Sequence, residues 1–213
     1  MSASPDFMFG LVADIQYACK ETGGTEGRVQ RYEEVPQKLA QAVKVWRKTM
    51  PKLEFVLSLG DIIDGRDLQV ETDEDFLQIW KILEPMASTT AFYHVLGNHC
   101  LRIPRDRLIP ALRMPASYYS KQLPQKWRLI VLDTTEMSGH SGFSQESDIG
   151  QEAAAFKAQH PLSPAEPQMA DWNGGIGARQ LAWLREQLAS ACQSQERIIV
   201  ACHHQIGKGD PSP

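Results

Sequence analysis

Leu57-Ser58-Leu59-Gly60-Asp61-Ile62-Ile63-Asp64-Gly65 decides the reading of this chain. The apolar run from Phe55 to Leu59 ends in glycine and then aspartate. A short continuous apolar run reads as a buried strand. Ligands of open α/β sheets bind beyond the carboxyl ends of such strands. Three further apolar runs end in polar residues: Phe7 to Ala13 in Asp14-Ile15-Gln16, Ala91 to Leu96 in Gly97-Asn98-His99, and Ile198 to Cys202 in His203-His204. Four strand ends therefore present Asp14, Gln16, Asp61, Asn98 and His203. The expectation is that they converge on a metal centre with Asp61 in the middle.

Carboxylate, amide and imidazole donors suit manganese, magnesium, iron or zinc, and the set lacks the thiolates of a structural zinc site. A carboxylate on a central strand can bridge two ions. Paired ions suit in-line displacement at a phosphoryl group.

Outward from the Asp61 strand, Val35, Leu39, Ala42, Val43 and Trp46 recur at helical spacing and predict a helix from about Tyr32 to Thr49. Residues 19–30 read as a loop, and residues 1–6 as a loose tail. A second helix is expected from about Thr72 to Met86, with Thr72 as its cap. A short helix is expected near 105–112. Ser117 to Lys121 and Arg128 to Leu132 then read as an antiparallel pair. Residues 138–175 are rich in serine, glycine, proline and glutamine and read as an irregular insertion, the expected substrate loop. A short helix near 151–159 interrupts it. A helix to about Ala191 carries Leu181, Leu184 and Leu188 on one face. Trp46, Trp80 and Trp183 are expected in the core. His94 is expected as a satisfied core residue, and His204 as a neighbour of His203 facing away.

The chain has 213 residues, enough for one domain, and is 42% hydrophobic. A formal net charge of −4 argues against a nucleic-acid surface, which would show a basic stripe. No segment has the length or apolarity of a signal peptide or a membrane span. The four cysteines make no C-x-x-C pair, and free thiols favour a reducing compartment. A soluble cytoplasmic protein is expected, with monomer and oligomer both open.

Asp14-x-Gln16, Gly60-Asp61-x-x-Asp64-Gly65, Gly97-Asn98-His99 and His203 resemble, in order and spacing, the calcineurin-like metallophosphoesterase superfamily. Phe9-Gly10-Leu11-Val12-Ala13-Asp14-Ile15-Gln16-Tyr17-Ala18, with Trp172-Asn173-Gly174-Gly175 before Gln180-Leu181, is similar to its manganese-dependent ADP-ribose/CDP-alcohol diphosphatase branch. The resemblance implies a four-layer α/β/β/α sandwich with two facing mixed sheets. It implies two divalent ions, manganese first. Asp14 and Gln16 would hold one ion, Asp61 would bridge, and Asn98 and His203 would hold the other. His99 would act as the catalytic group near the leaving oxygen. The substrate would be a small nucleotide, with Tyr17, Asn173 and Gly174 as candidate contacts. Phosphomonoester or cyclic-nucleotide hydrolysis is the alternative chemistry.

Two departures stand out. The family carries Asp or Glu where this chain has Cys100. It also carries a Gly-His-x-His motif beyond the His203 strand, which is absent before Pro213. The expectation is therefore a fold lacking its C-terminal strands, and a catalytically incomplete product is the third reading.

Overall fold

The computed structural model describes residues 7–25, 28–50, 52–164 and 166–205. The tail expected at 1–6 and the segment 206–213 lie outside them.

The first sheet is parallel throughout. Its order is β1 (Phe9–Val12), β4 (Phe55–Ser58) and β5 (Ala91–His94), with β4 in the centre. The helices α1 (Val35–Lys48) and α2 (Gln69–Ala87) precede β4 and β5 respectively. All four residues of β4 are buried, as a continuous apolar run requires when both faces of a strand are covered. The pleat divides them. Phe55 stacks on Phe9 at 4.8 Å and lies 5.4 Å from Tyr93, while Phe7 meets Trp127 edge-on at 5.9 Å. That aromatic row joins the first sheet to the second. On the opposite face Gly10 lies under Trp46 of α1, and His94 lies 6.0 Å from Trp80 of α2.

The second sheet is mixed. β6 (Tyr119–Leu123) pairs antiparallel with β7 (Trp127–Val131), and β7 pairs parallel with β8 (Arg197–Ala201). The antiparallel pair expected from sequence is thus present, its first strand two residues further on. α5 (Ala178–Gln193) covers the outer face, where Arg128 of β7 bonds Glu196 at 2.6 Å and the Gln187 carbonyl at 3.4 Å. Helices, sheet, sheet and helix therefore stack in four layers around one core that includes Phe55, Leu57, Leu129 and Val131.

Several local expectations need correction. Residues 19–30 are not merely a loop: β2 (Gly23–Thr25) and β3 (Arg28–Gln30) form an antiparallel pair. Thr72 is not a helix cap. α2 begins three residues earlier, and the buried Thr72 hydroxyl accepts a hydrogen bond from the Arg66 amide at 2.9 Å. His94 is fully buried and stacked on Phe92 at 4.8 Å, yet neither ring nitrogen has a hydrogen-bond partner among the described residues. Burial lowers its pKa to about 3. Leu181 and Leu188 remain more than a third exposed, and Gln180 and Ala191 are the buried positions of α5.

The 138–175 segment is more ordered than its composition suggests. It contains α4 (Asp148–Gln159), capped by the Ser147 hydroxyl, which accepts from the Gly150 amide. Its base is fixed by Arg105 of α3 (Arg105–Ala111). That guanidinium donates to Asp133 Oδ2, Thr135 Oγ1 and the Ser141 carbonyl, each at 2.6 Å. A buried charge is tolerable when each of its polar groups is so paired.

Candidate metal centre

Beyond Val12 and Ser58 the strands β1 and β4 end, but their chains stay paired. The Asp14 amide donates to the Gly60 carbonyl at 3.2 Å, the Gln16 amide to the Asp61 carbonyl at 2.7 Å, and the Asp64 amide to the Tyr17 carbonyl at 2.9 Å. Asp14, Gln16 and Asp61 all adopt left-handed backbone, with φ of 51°, 43° and 51°. Such conformations are uncommon outside glycine and cluster where function over-determines the backbone. The result is a turn in each chain that delivers side chains into one hollow.

Asp61 is 1% exposed. Its Oδ1 accepts from the His99 amide at 2.9 Å, and its Oδ2 lies 3.3 Å from His203 Nε2 and 3.4 Å from Gln16 Nε2. His203 Nε2 also lies 3.1 Å from Asn98 Oδ1. Ligand atoms of Asp14, Asp61 and His203 fall within 4.8 Å of one another. A Cβ on Gly97 would overlap the Asp61 carboxylate, so only glycine admits the acid there. Burial acts to raise the Asp61 pKa, but the hydrogen bond and charge of His203, with His99 beyond, outweigh it and hold it below the usual range. Burial opposes charge on His203, while Asp61, the Leu59 carbonyl and Asp14 outweigh that and raise its pKa. A buried carboxylate beside an imidazole and two amides is a donor set that fits a divalent cation.

His99 adjoins this hollow. Its Nδ1 lies 2.7 Å from the Asp64 carbonyl oxygen, which can only accept, so Nδ1 carries the proton and donates. Asp64 Oδ1 lies 3.3 Å from the same nitrogen. Cys100 is 1% exposed, its Sγ accepts from the Ile62 amide at 3.2 Å, and burial pushes its pKa up to about 12. The thiol is thus a packing group, and Asp64 holds the ring instead.

A cleft of about 420 Å³ opens beside Asp14 and Gln16, walled by Gln30, Arg31, Tyr32 and Lys38. These residues escaped the sequence reading. The pattern Gly23-Gly24 followed by Arg28-Val29-Gln30 was the available hairpin signal. Arg31 and Lys38 both pair with Glu34, at 3.1 and 2.7 Å, and place two cations on the rim.

The three candidate substrate contacts fare differently. Tyr17 is 4% exposed and lies among Cys19, Asp75 and Arg66, so it has no face free to stack on a base. Asn173 Nδ2 donates to the Gln168 carbonyl at 2.9 Å, within its own loop. Gly174 packs against Thr134 and His204. His204 turns into the interior: it is 5% exposed, Nε2 donates to the Trp172 carbonyl at 3.0 Å, and Nδ1 accepts from the Thr134 hydroxyl at 3.1 Å. None of these three contacts lines the cleft beside Asp14. A second, mostly apolar cavity of about 300 Å³ lies between α4, the 168–176 loop and α5.

Comparison with known proteins agrees with this geometry. Residues 7–211 match the family model described as calcineurin-like phosphoesterase. A rice protein named manganese-dependent ADP-ribose/CDP-alcohol diphosphatase is 30% identical over 99% of this chain and 70% of its own length. An Arabidopsis thaliana protein of the same name is 31% identical over 96% and 70%. The crystal structure of a dimetal phosphatase from Danio rerio superposes with a TM-score of 0.82 at 28% identity, over 94% of this chain and 70% of that one.

Proposed function

Because this chain belongs to the calcineurin-like phosphoesterase family, a family of phosphoester hydrolases, we propose that it cleaves the pyrophosphate of nucleoside diphosphate derivatives such as ADP-ribose and CDP-alcohols, releasing a nucleoside monophosphate. The observation that carries the reading is the convergence of Asp14, Asp61 and His203 within 4.8 Å on strained backbone. The substrate class rests on the names of relatives at 30% and 31% identity.

Asp14 and Gln16 would hold one divalent ion and Asn98 and His203 a second, with Asp61 shared between them and manganese the first choice. When bound, the ions supply Lewis acidity toward a phosphoryl oxygen. The rest is work for the chain. His99, with Nδ1–H on the Asp64 carbonyl, keeps Nε2 for the proton that the leaving oxygen takes up. Arg31 and Lys38, on the cleft wall, suit the second phosphate of a diphosphate, which a monoester lacks. The four unpaired cysteines accord with a cytoplasmic setting. No described helix is long and apolar enough to cross a membrane.

The test is AMP release from ADP-ribose with Mn²⁺, comparing the chain with Asp61→Asn. Activity in the former that falls more than about 100-fold in the variant, beyond the usual cost of changes outside the ligand shell, supports the reading. Cleavage of p-nitrophenyl phosphate or 2′,3′-cyclic AMP without cleavage of ADP-ribose would refute the substrate assignment and keep the hydrolase.

A further inference from the structure

Lys20 lies outside every motif that drew attention to the site. It sits three residues past Tyr17, between β1 and β2. Its Nζ forms an ion pair with Asp64 Oδ2. The same ammonium stands 4.6 Å from the centre of the Tyr32 ring, a cation–π distance. Tyr32 donates its hydroxyl hydrogen to Gln30 Oε1 at 2.6 Å, and both residues wall the cleft beside Asp14 and Gln16.

On its other side Asp64 touches His99 twice, through its carbonyl oxygen at 2.7 Å and Oδ1 at 3.3 Å. A carboxylate turns freely about its Cβ–Cγ bond, because that torsion has broad, two-fold preferences. Lys20 holds one oxygen and so leaves the other facing the imidazole. Cys100, next in sequence to His99, is buried on the Ile62 amide and offers the ring no carboxylate. The tie on the imidazole therefore runs through Asp64, and the tie on Asp64 runs through Lys20.

We infer that Lys20 is a positioning residue for His99. It fixes the oxygen that Asp64 offers to the ring, and through Tyr32 it connects that pair to the wall of the substrate cleft. This inference rests on His99 being the proton donor of the proposed hydrolysis. Lys20 is itself 40% exposed at the side chain, so replacing it leaves the core untouched.

The experiment uses the full chain as wild type, Lys20→Gln and Lys20→Arg. The first measurement needs neither metal nor substrate: ¹H–¹⁵N correlation spectra of the imidazoles in the metal-free protein. The expected result is a displaced His99 Nδ1 signal in Lys20→Gln, restored in Lys20→Arg, with the other histidines of the chain's six unmoved. An unmoved His99 signal in Lys20→Gln overturns the inference. The second measurement is Mn²⁺-dependent turnover of ADP-ribose. In Lys20→Gln, kcat falls about tenfold, within the range that slight misplacement of a reacting group costs, while KM stays within about twofold; Lys20→Arg recovers most of the loss. A raised KM with unchanged kcat would make Lys20 a substrate contact and overturn the positioning role. Absence of turnover in all three proteins would overturn the proposed function alone, and the imidazole spectra would still decide the role of Lys20.

Discussion

The carbonyl oxygen of Leu59 lies 2.8 Å from Nδ1 of His203. A carbonyl only accepts, so Nδ1 donates to it and Nε2 is the nitrogen turned toward Asp61 and Asn98. Metal-ligating histidines are commonly oriented by such a bond on the far nitrogen. The end of β4 thus supplies both the buried acid and the peg that aims its imidazole neighbour. Replacing His203 with Gln is expected to weaken Mn²⁺ binding at least tenfold by calorimetry, in line with the sensitivity of metal sites to their surroundings. Binding of equal strength in the variant would place the ion elsewhere.

His94 predicts a pH dependence of stability. Its pKa in the fold is lowered to about 3 by burial, against about 6.5 in an unfolded chain. The native state therefore keeps the ring neutral while the unfolded state takes up a proton. The contribution to stability is fully present above about pH 6.5 and is lost as pH falls toward 3, at about 1.4 kcal/mol per unit. His94→Phe should flatten the fall in urea-unfolding free energy between pH 6 and 4. An unchanged slope would show that the ring is charged or solvated in the fold.

The strand ends were legible because each apolar run stops abruptly at a polar residue. What followed them was not. Asp14 and Gln16 share a side of the site, yet not through the two-residue alternation of a continuing strand: β1 has ended at Val12, and left-handed backbone at both residues turns them inward. The same turns carry Tyr17 into the interior, which alternation alone could not foretell. The β2–β3 pair was missed because three-residue strands carry too little pattern to separate from a loop. Thr72 resembled a cap because acids follow it, but burial gave its hydroxyl to Arg66 instead.

Gly174 packs where a side chain cannot go. A Cβ there would overlap the Thr134 carbonyl and come within 2.8 Å of His204 Nδ1. Gly174→Ala should cost about 1–3 kcal/mol, the usual range for overpacking, measured by urea unfolding. A neutral substitution would mean that the 172–175 loop lifts freely from Thr134 and His204.

Thiol reactivity should divide by burial. Cys19 and Cys192 are exposed, and Cys100 is buried with its pKa pushed up to about 12. Brief iodoacetamide treatment of the native protein, read by peptide mass spectrometry, should label the first two and spare Cys100 until urea is added. Early labelling of Cys100 would show that the segment after Asn98 opens.

Arg31 tests the cleft. Arg31→Gln should lower kcat/KM for ADP-ribose by about 10–100-fold, the worth of a hydrogen bond to a charged group. The loss for p-nitrophenyl phosphate should be smaller, since it has no second phosphate. Equal losses on both substrates would place Arg31 at the reacting phosphate instead.

The ladder that runs on past β1 and β4 also sets where the chain tolerates changes in length. Tyr17 still bridges Ile63, and Asp14 and Gln16 are still bonded across to Gly60 and Asp61. One residue added or removed between Val12 and Tyr17, or between Ser58 and Ile63, would slide Asp14 past Asp61 and dismantle the hollow, however conservative the chemistry of the change. Between α4 and α5, by contrast, no described residue pairs with a strand of either sheet, and the bridge of Ser163 to Glu166 is local. Insertions and deletions can accumulate there while the two turns that meet at Asp61 keep a fixed number of steps.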